Sequence, residues 1–116
     1  MNYSVISVAG GRRTELHDKL NLTGAEISIN EIPAGEGASF VHAHKQNEEI
    51  YGILEGAGKV IIDGGTIDLK AGDWLRISPA GKRQFFASAD TGMKYICIQV
   101  KENSLEAYSM GDGVLC

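Results

Sequence analysis

Turn-forming residues divide this chain into short apolar runs about every eight to twelve residues. The punctuation falls at Gly24, at Pro33 to Gly37, at Glu55-Gly56-Ala57-Gly58, at Asp63-Gly64-Gly65, at Gly72-Asp73 and at Ser78-Pro79-Ala80-Gly81. Strands joined by turns at that spacing build a sandwich or a barrel, so the fold class is all-β. Fifteen glycines against two prolines in 116 residues supply the tight turns such a fold needs.

The runs between the turns read as strands. Val5 to Val8 forms a first strand closed by Gly10-Gly11, and Ala25 to Ile32 alternates Ile27 and Ile29 against Glu26, Ser28 and Asn30. Ser39 to His44 places Phe40, His42 and His44 on one face, and Glu49 to Leu54 does the same for Glu49, Tyr51 and Ile53. Lys59 to Ile62 and Thr66 to Leu69 flank a hairpin turn. Trp74 to Ile77, Gln84 to Ala87 and Lys94 to Val100 complete the set. One reading of Thr14 to Leu22 is a short helical turn carrying Leu16 and Leu20, and Asn103 with Glu106 is a candidate cap for a short C-terminal helix through Tyr108, followed by a tail.

Size and charge narrow the function classes. A chain of 116 residues is one domain, residues 1–116, with a core over about residues 25–100. A formal charge of −4 without a basic stripe offers nothing to nucleic acid. No run of apolar residues is long enough to span a membrane as a helix. The stretch Met1 to Gly11 lacks the basic flank and apolar centre of a signal peptide. Cys97 sits inside an apolar run and Cys116 ends the chain, a spacing that suggests neither a disulfide framework nor a zinc ribbon. The expectation is a reduced, cytoplasmic protein.

The chemistry concentrates in His42-Ala43-His44-Lys45-Gln46-Asn47-Glu48-Glu49. Residues i and i+2 of a strand share a face, so His42 and His44 aim two imidazoles at one point while Glu49 brings a carboxylate from the next strand. Two nitrogens and a carboxylate outline a divalent-metal site. Glu48, of opposite parity, faces solvent. Strand parity also nominates Phe40, Tyr51, Ile53, Phe86, Met93, Tyr95 and Cys97 as lining, with Tyr51 and Tyr95 the candidate catalytic residues because a buried hydroxyl needs a partner. Cys97 reads as a small buried hydrophobe. Lys82-Arg83 reads as a solvated basic turn, with Arg76 or Arg83 meeting an anionic substrate as a weaker reading. The glycine patches lead into no helix and are not phosphate loops.

The spacing His42-x-His44-x4-Glu49-x6-Gly56, inside Glu48-Glu49-Ile50-Tyr51-Gly52-Ile53-Leu54-Glu55-Gly56, resembles the first motif of the cupin superfamily. Glu36, flanked by Gly35 and Gly37, stands where that family has a glycine. Gly72 to Gly81 resembles the second motif, with Ser78 at the usual proline position. The family's late histidine then falls at Gln84 and its asparagine at Ser88.

The resemblance implies a double-stranded β-helix, or jelly-roll barrel, enclosing one divalent transition metal (zinc, iron, manganese or nickel). It implies His42, His44 and Glu49 as ligands. Gln84 is carried by position alone, as a weak neutral ligand or as a group that orients water or substrate. The implied activity is a metal-dependent oxygenase, isomerase or cyclase acting on a small molecule. The competing reading is a non-enzymatic binding or sensor cupin with a weakened metal site, which Gln84 favours. Apolar residues on both faces of Tyr95 to Val100 suggest a homodimer.

Overall fold

Alternation of side chains across pleated strands sorts this chain into two sheets that share one long strand. The computed structural model describes residues 2–108 and 110–116. Its strands are β1 (Arg13–Glu15), β2 (Glu26–Ile32), β3 (Asn47–Ile62), β4 (Gly65–Lys70), β5 (Trp74–Ile77), β6 (Arg83–Ala87) and β7 (Met93–Lys101), with one helical turn, α1 (His17–Leu20), after β1. Every ladder is antiparallel. One sheet runs β1-β2-β7-β3-β5 and uses the first part of β3. The other runs β4-β3-β6 and uses its last part, Ala57 to Ile62. The hydrogen-bonded ladder does not close into a ring; β3 joins the two layers, and the core lies between them. The all-β jelly-roll class is as expected from the sequence.

That core comprises Tyr51, Ile53, Val60, Leu69, Ile77, Phe85, Met93 and Cys97. Glu49, Tyr51 and Ile53 are all buried, as their shared parity requires. Asp63 and Gly64 both have positive φ, 50° and 85°, and close the β3–β4 hairpin as a two-residue turn with Ile62 opposite Gly65.

Four local expectations are corrected. Glu55 to Gly58 is not a chain reversal: β3 passes through it and turns from one sheet into the other at an irregularity between Ile53 and Glu55. Gly56, at φ 77°, lies so close to the Gly92 carbonyl that a Cβ would collide with it. Glycine serves close approach there, not a hairpin. Val5 to Val8 is not a strand. It is unpaired and mostly exposed, and the edge of β2 is taken by β1. The segment Ser39 to His44 is not a strand either. It meets β6 at one isolated bridge, His42 with Arg83, and a second, Gly37 with Phe86, lies just before it. The intervening residues bend outward and leave Phe40 68% exposed. Among the described residues no helix follows Asn103, whose left-handed φ of 62° makes it a turn residue; an N-cap needs extended backbone. Ser109, in the tail beyond it, lies outside the described residues. Among the described residues no helix is long and apolar enough to cross a membrane.

Candidate metal centre

Three backbone contacts bring the site together. His42 and Arg83 exchange both main-chain hydrogen bonds, at 3.1 and 2.9 Å, and the His44 amide donates to the Pro79 carbonyl at 2.8 Å. Both histidines are thereby held against the start of β6 and the turn before it. Glu49 reaches the same point from β3, where it pairs with Gln99 on β7 and Ile77 on β5.

One nitrogen of each imidazole and a carboxylate oxygen of Glu49 all lie within 4.8 Å of one another. His42 Nε2 is 3.9 Å from Glu49 Oε1, and His44 Nε2 is 3.2 Å from Glu49 Oε2. Donors around an ion at usual zinc distances stand about 3.0 to 3.4 Å apart, so a small inward movement of His42 suits an ion. The decisive detail is at His44. Its Nε2 is buried and makes no hydrogen bond, although a carboxylate oxygen is 3.2 Å away. A nitrogen and a carboxylate oxygen this close, with no hydrogen bond between them, are both available to a shared ion. A buried polar atom left so is expensive unless something fills that position. The residues present therefore fit a divalent metal.

Glu49 is the centre of a wider network. Its Oε1 accepts a hydrogen bond from the Tyr51 hydroxyl and another, at 2.6 Å, from the Arg83 guanidinium. The Cys97 thiol approaches Oε2 at 3.4 Å. Burial pushes the Glu49 pKa up, but the neighbouring Tyr51, His44, Arg83 and Cys97 outweigh it and hold the carboxyl below its ordinary value. The reverse holds for its partners. Burial and the nearby carboxylate drive the Tyr51 phenol far above its usual range and the Cys97 thiol up to about 12. Burial lowers His42, which favours the neutral, ligating imidazole.

Arg83 corrects the solvated-turn reading. It is 0% exposed, and besides Glu49 it donates to the carbonyls of Ser78, Pro79 and Gly81. It shares the inward face of β6 with Phe85, and that two-residue spacing to a buried aromatic was the available signal. Arg76 is on the outer surface, bonded to Glu48 and Glu102, and neither arginine is free to meet a ligand. Glu48 is thus half-buried in an ion pair on the outer face.

A cavity of about 480 Å³ opens beside the three ligand candidates. Its wall includes both nominated tyrosines, and Phe85 stacks on Tyr95 with ring centroids 5.1 Å apart. Burial raises the Tyr95 phenol to about 12. Gln84 also lines this cavity, with its amide nitrogen donating to the Ala38 carbonyl at 2.8 Å. Sequence reasoning missed the polar part of the wall: Arg13, Glu26, Ser28, Asn30 and Gln99. A second depression of about 490 Å³, between Pro33, Gly56 and Gly92, shares none of the metal-centre residues.

The family model described as a cupin domain, Cupin_2, matches residues 28–99. The chain is a cupin. Among solved structures it is similar to a cupin protein from Bacteroides fragilis, with 61% identity, a TM-score of 0.97, and 100% of this chain and 98% of that one covered. A sugar phosphate isomerase of the cupin superfamily from Silicibacter pomeroyi shares the fold at 21% identity and a TM-score of 0.65, over 82% of this chain and 68% of that one. Among curated proteins, this cupin is 32% identical over 76 residues to an uncharacterized protein of Methanocaldococcus jannaschii, covering 64% of this chain. It spans 60% of the length of that relative.

Proposed function

We propose that this cupin holds one divalent transition metal on His42, His44 and Glu49 and acts on a small molecule in the adjoining cavity. The observation that carries the reading is the buried, unpartnered His44 Nε2, 3.2 Å from a Glu49 oxygen to which it does not hydrogen-bond. When bound, the metal supplies Lewis acidity or an anchor for an oxygen-donor ligand. The chain's own residues do the rest. Arg83 and Tyr51 hold the carboxylate in place. Tyr95 and Phe85 exclude water along one wall. Gln84 presents an amide that orients a bound group, and the raised pKa values of Tyr51 and Tyr95 make them hydrogen-bond donors that keep their protons.

Elemental analysis tests it. The purified or metal-reconstituted chain should carry about one transition metal per protein, lost in His42→Ala and His44→Ala. A wild type that takes up none refutes the reading. The alternative, a binding or sensor cupin with a weakened site, is favoured by one observation: the Arg83 cation already neutralises Glu49. Turnover of any substrate by the loaded protein decides between them.

A homodimer belongs to the same proposal. Ile27, Ile96, Ile98 and Ile50 lie on the strand faces opposite the cavity, beside Trp74, which is 60% exposed. Sedimentation showing only monomer at micromolar concentration would count against it.

A further inference from the structure

The wall of the cavity away from the histidines carries a polar cluster. Facing rows can be read from the register. Arg13 of β1 stands opposite Asn30 of β2, which stands opposite Tyr95 of β7; Ser28 of β2 stands opposite Cys97, itself opposite Tyr51. Ser28 is 2% and Asn30 is 6% exposed, and both line the cavity. Buried polar groups at these positions displace apolar ones that would pack as well, and they need partners.

Their hydrogen bonds leave two donors without a partner. An Arg13 terminal nitrogen donates to Asn30 Oδ1 at 2.7 Å and to Ser28 Oγ at 3.4 Å, and Asn30 Nδ2 donates to Ser28 Oγ at 3.0 Å. Ser28 Oγ thus accepts two bonds, and its own proton has no acceptor among the described residues. The second terminal nitrogen of Arg13 is likewise without an acceptor there. The Arg13 Nε bond to Glu15, at 3.3 Å, joins two largely exposed side chains. The other carboxylate on this wall, Glu26, accepts from the Leu16 and His17 amides at 3.2 Å each.

Charge at the opposite wall leads to the same ligand. Arg83 neutralises Glu49, and the imidazoles are uncharged ligands, so a dication on the three residues, two half-buried histidines and one buried carboxylate, keeps its charge uncompensated. An anion arriving with the substrate would balance it.

We propose that the cavity takes a small oxyanion ligand, a carboxylate or phosphate, gripped by Arg13 and Ser28 while another of its oxygens faces the metal centre. Two strand spacings, about 10 Å, separate the Glu49 and Ser28 columns of the wall, which suits a small metabolite. Arg13 is then a specificity residue, and it stands before the stretch that the cupin family model matches. The Arg13 half of this inference stands on hydrogen bonding alone; the charge argument rests on the proposed metal.

Titration calorimetry with malonate and with inorganic phosphate tests it, on the full chain both stripped of metal and loaded with nickel. Arg13 Nε and the Ser28 amide are followed by NMR. Saturable binding with shifts at both positions is expected, tighter in the loaded form, and the tighter of the two anions identifies the ligand group. Arg13→Gln and Ser28→Ala should each weaken binding about tenfold or more, with bound nickel per chain unchanged, and Arg13→Lys should restore part of the affinity. Wild-type affinity in Arg13→Gln, or no saturable binding of either anion to wild type, overturns the proposal. If the wild type takes up no nickel, the metal reading fails, and the stripped-protein titration still decides the role of Arg13.

Discussion

The Arg83 guanidinium and the Glu49 carboxylate form a 2.6 Å ion pair in which Arg83 is 0% and Glu49 5% exposed, so solvent screens almost none of it. Removing one partner of such a pair leaves an uncompensated buried charge. Arg83→Gln is therefore expected to cost about 3–5 kcal/mol of folding stability, read from denaturant melts. Arg83→Lys should recover little, because an ammonium cannot reach Glu49 and the Ser78, Pro79 and Gly81 carbonyls together. A lysine variant as stable as wild type would show that charge alone matters.

Tyr51→Phe removes one hydroxyl and little packing volume. Glu49 then loses a donor that holds its pKa down. A loss of about 1.5–3 kcal/mol is expected, the usual worth of a hydrogen bond to a charged group, together with a rise in the Glu49 pKa. NMR titration of the Glu49 carboxyl carbon would reveal the rise. An unchanged pKa would mean that the hydroxyl bond contributes nothing to keeping the carboxylate ionised.

Glu49 also sets a pH dependence. Its pKa is lower folded than the ordinary 4.5. Its contribution is thus complete above the unfolded value and is lost as pH falls through the folded one. Stability should decline on acidification from the ordinary carboxylate range downward. Glu49→Gln should be less stable at neutral pH and show a shallower acid limb. Acid limbs of equal steepness would assign the decline to other carboxylates.

Gln84→His places an imidazole on the cavity wall beside the His42, His44 and Glu49 group. Retention of metal against a chelator should increase by at least about tenfold, given the strength of imidazole relative to an amide oxygen. Unchanged retention would show that position 84 lies beyond reach of the ion.

Much of the fold was readable because burial on one face of a strand imposes a period of two. Glu49, Tyr51 and Ile53 alternate in sequence and are buried together. Asp63-Gly64 closes its hairpin because both positions need positive φ. The errors share a different cause. Glycines at 56 and 58 signal either a turn or a close strand crossing, and only the positions of Gly92, against Gly56, and Phe86, against Gly58, distinguish the two. Val5 to Val8 has strand composition, but pairing depends on which segment occupies the neighbouring edge.

Sequence alone determined the all-β class and singled out His42, His44 and Glu49 by their spacing, but the segment that carries the histidines is no strand, and backbone bonds to Arg83 and Pro79 hold it at Glu49. Only the tertiary structure decided what surrounds those residues. Arg83 is 34 positions from the carboxylate it neutralises, and Arg13 and Ser28 reach the same cavity from strands three and two places away across the sheet. Partners of that kind are chosen by strand order and register, which are collective properties of the packed sheets and leave no periodic trace in the chain.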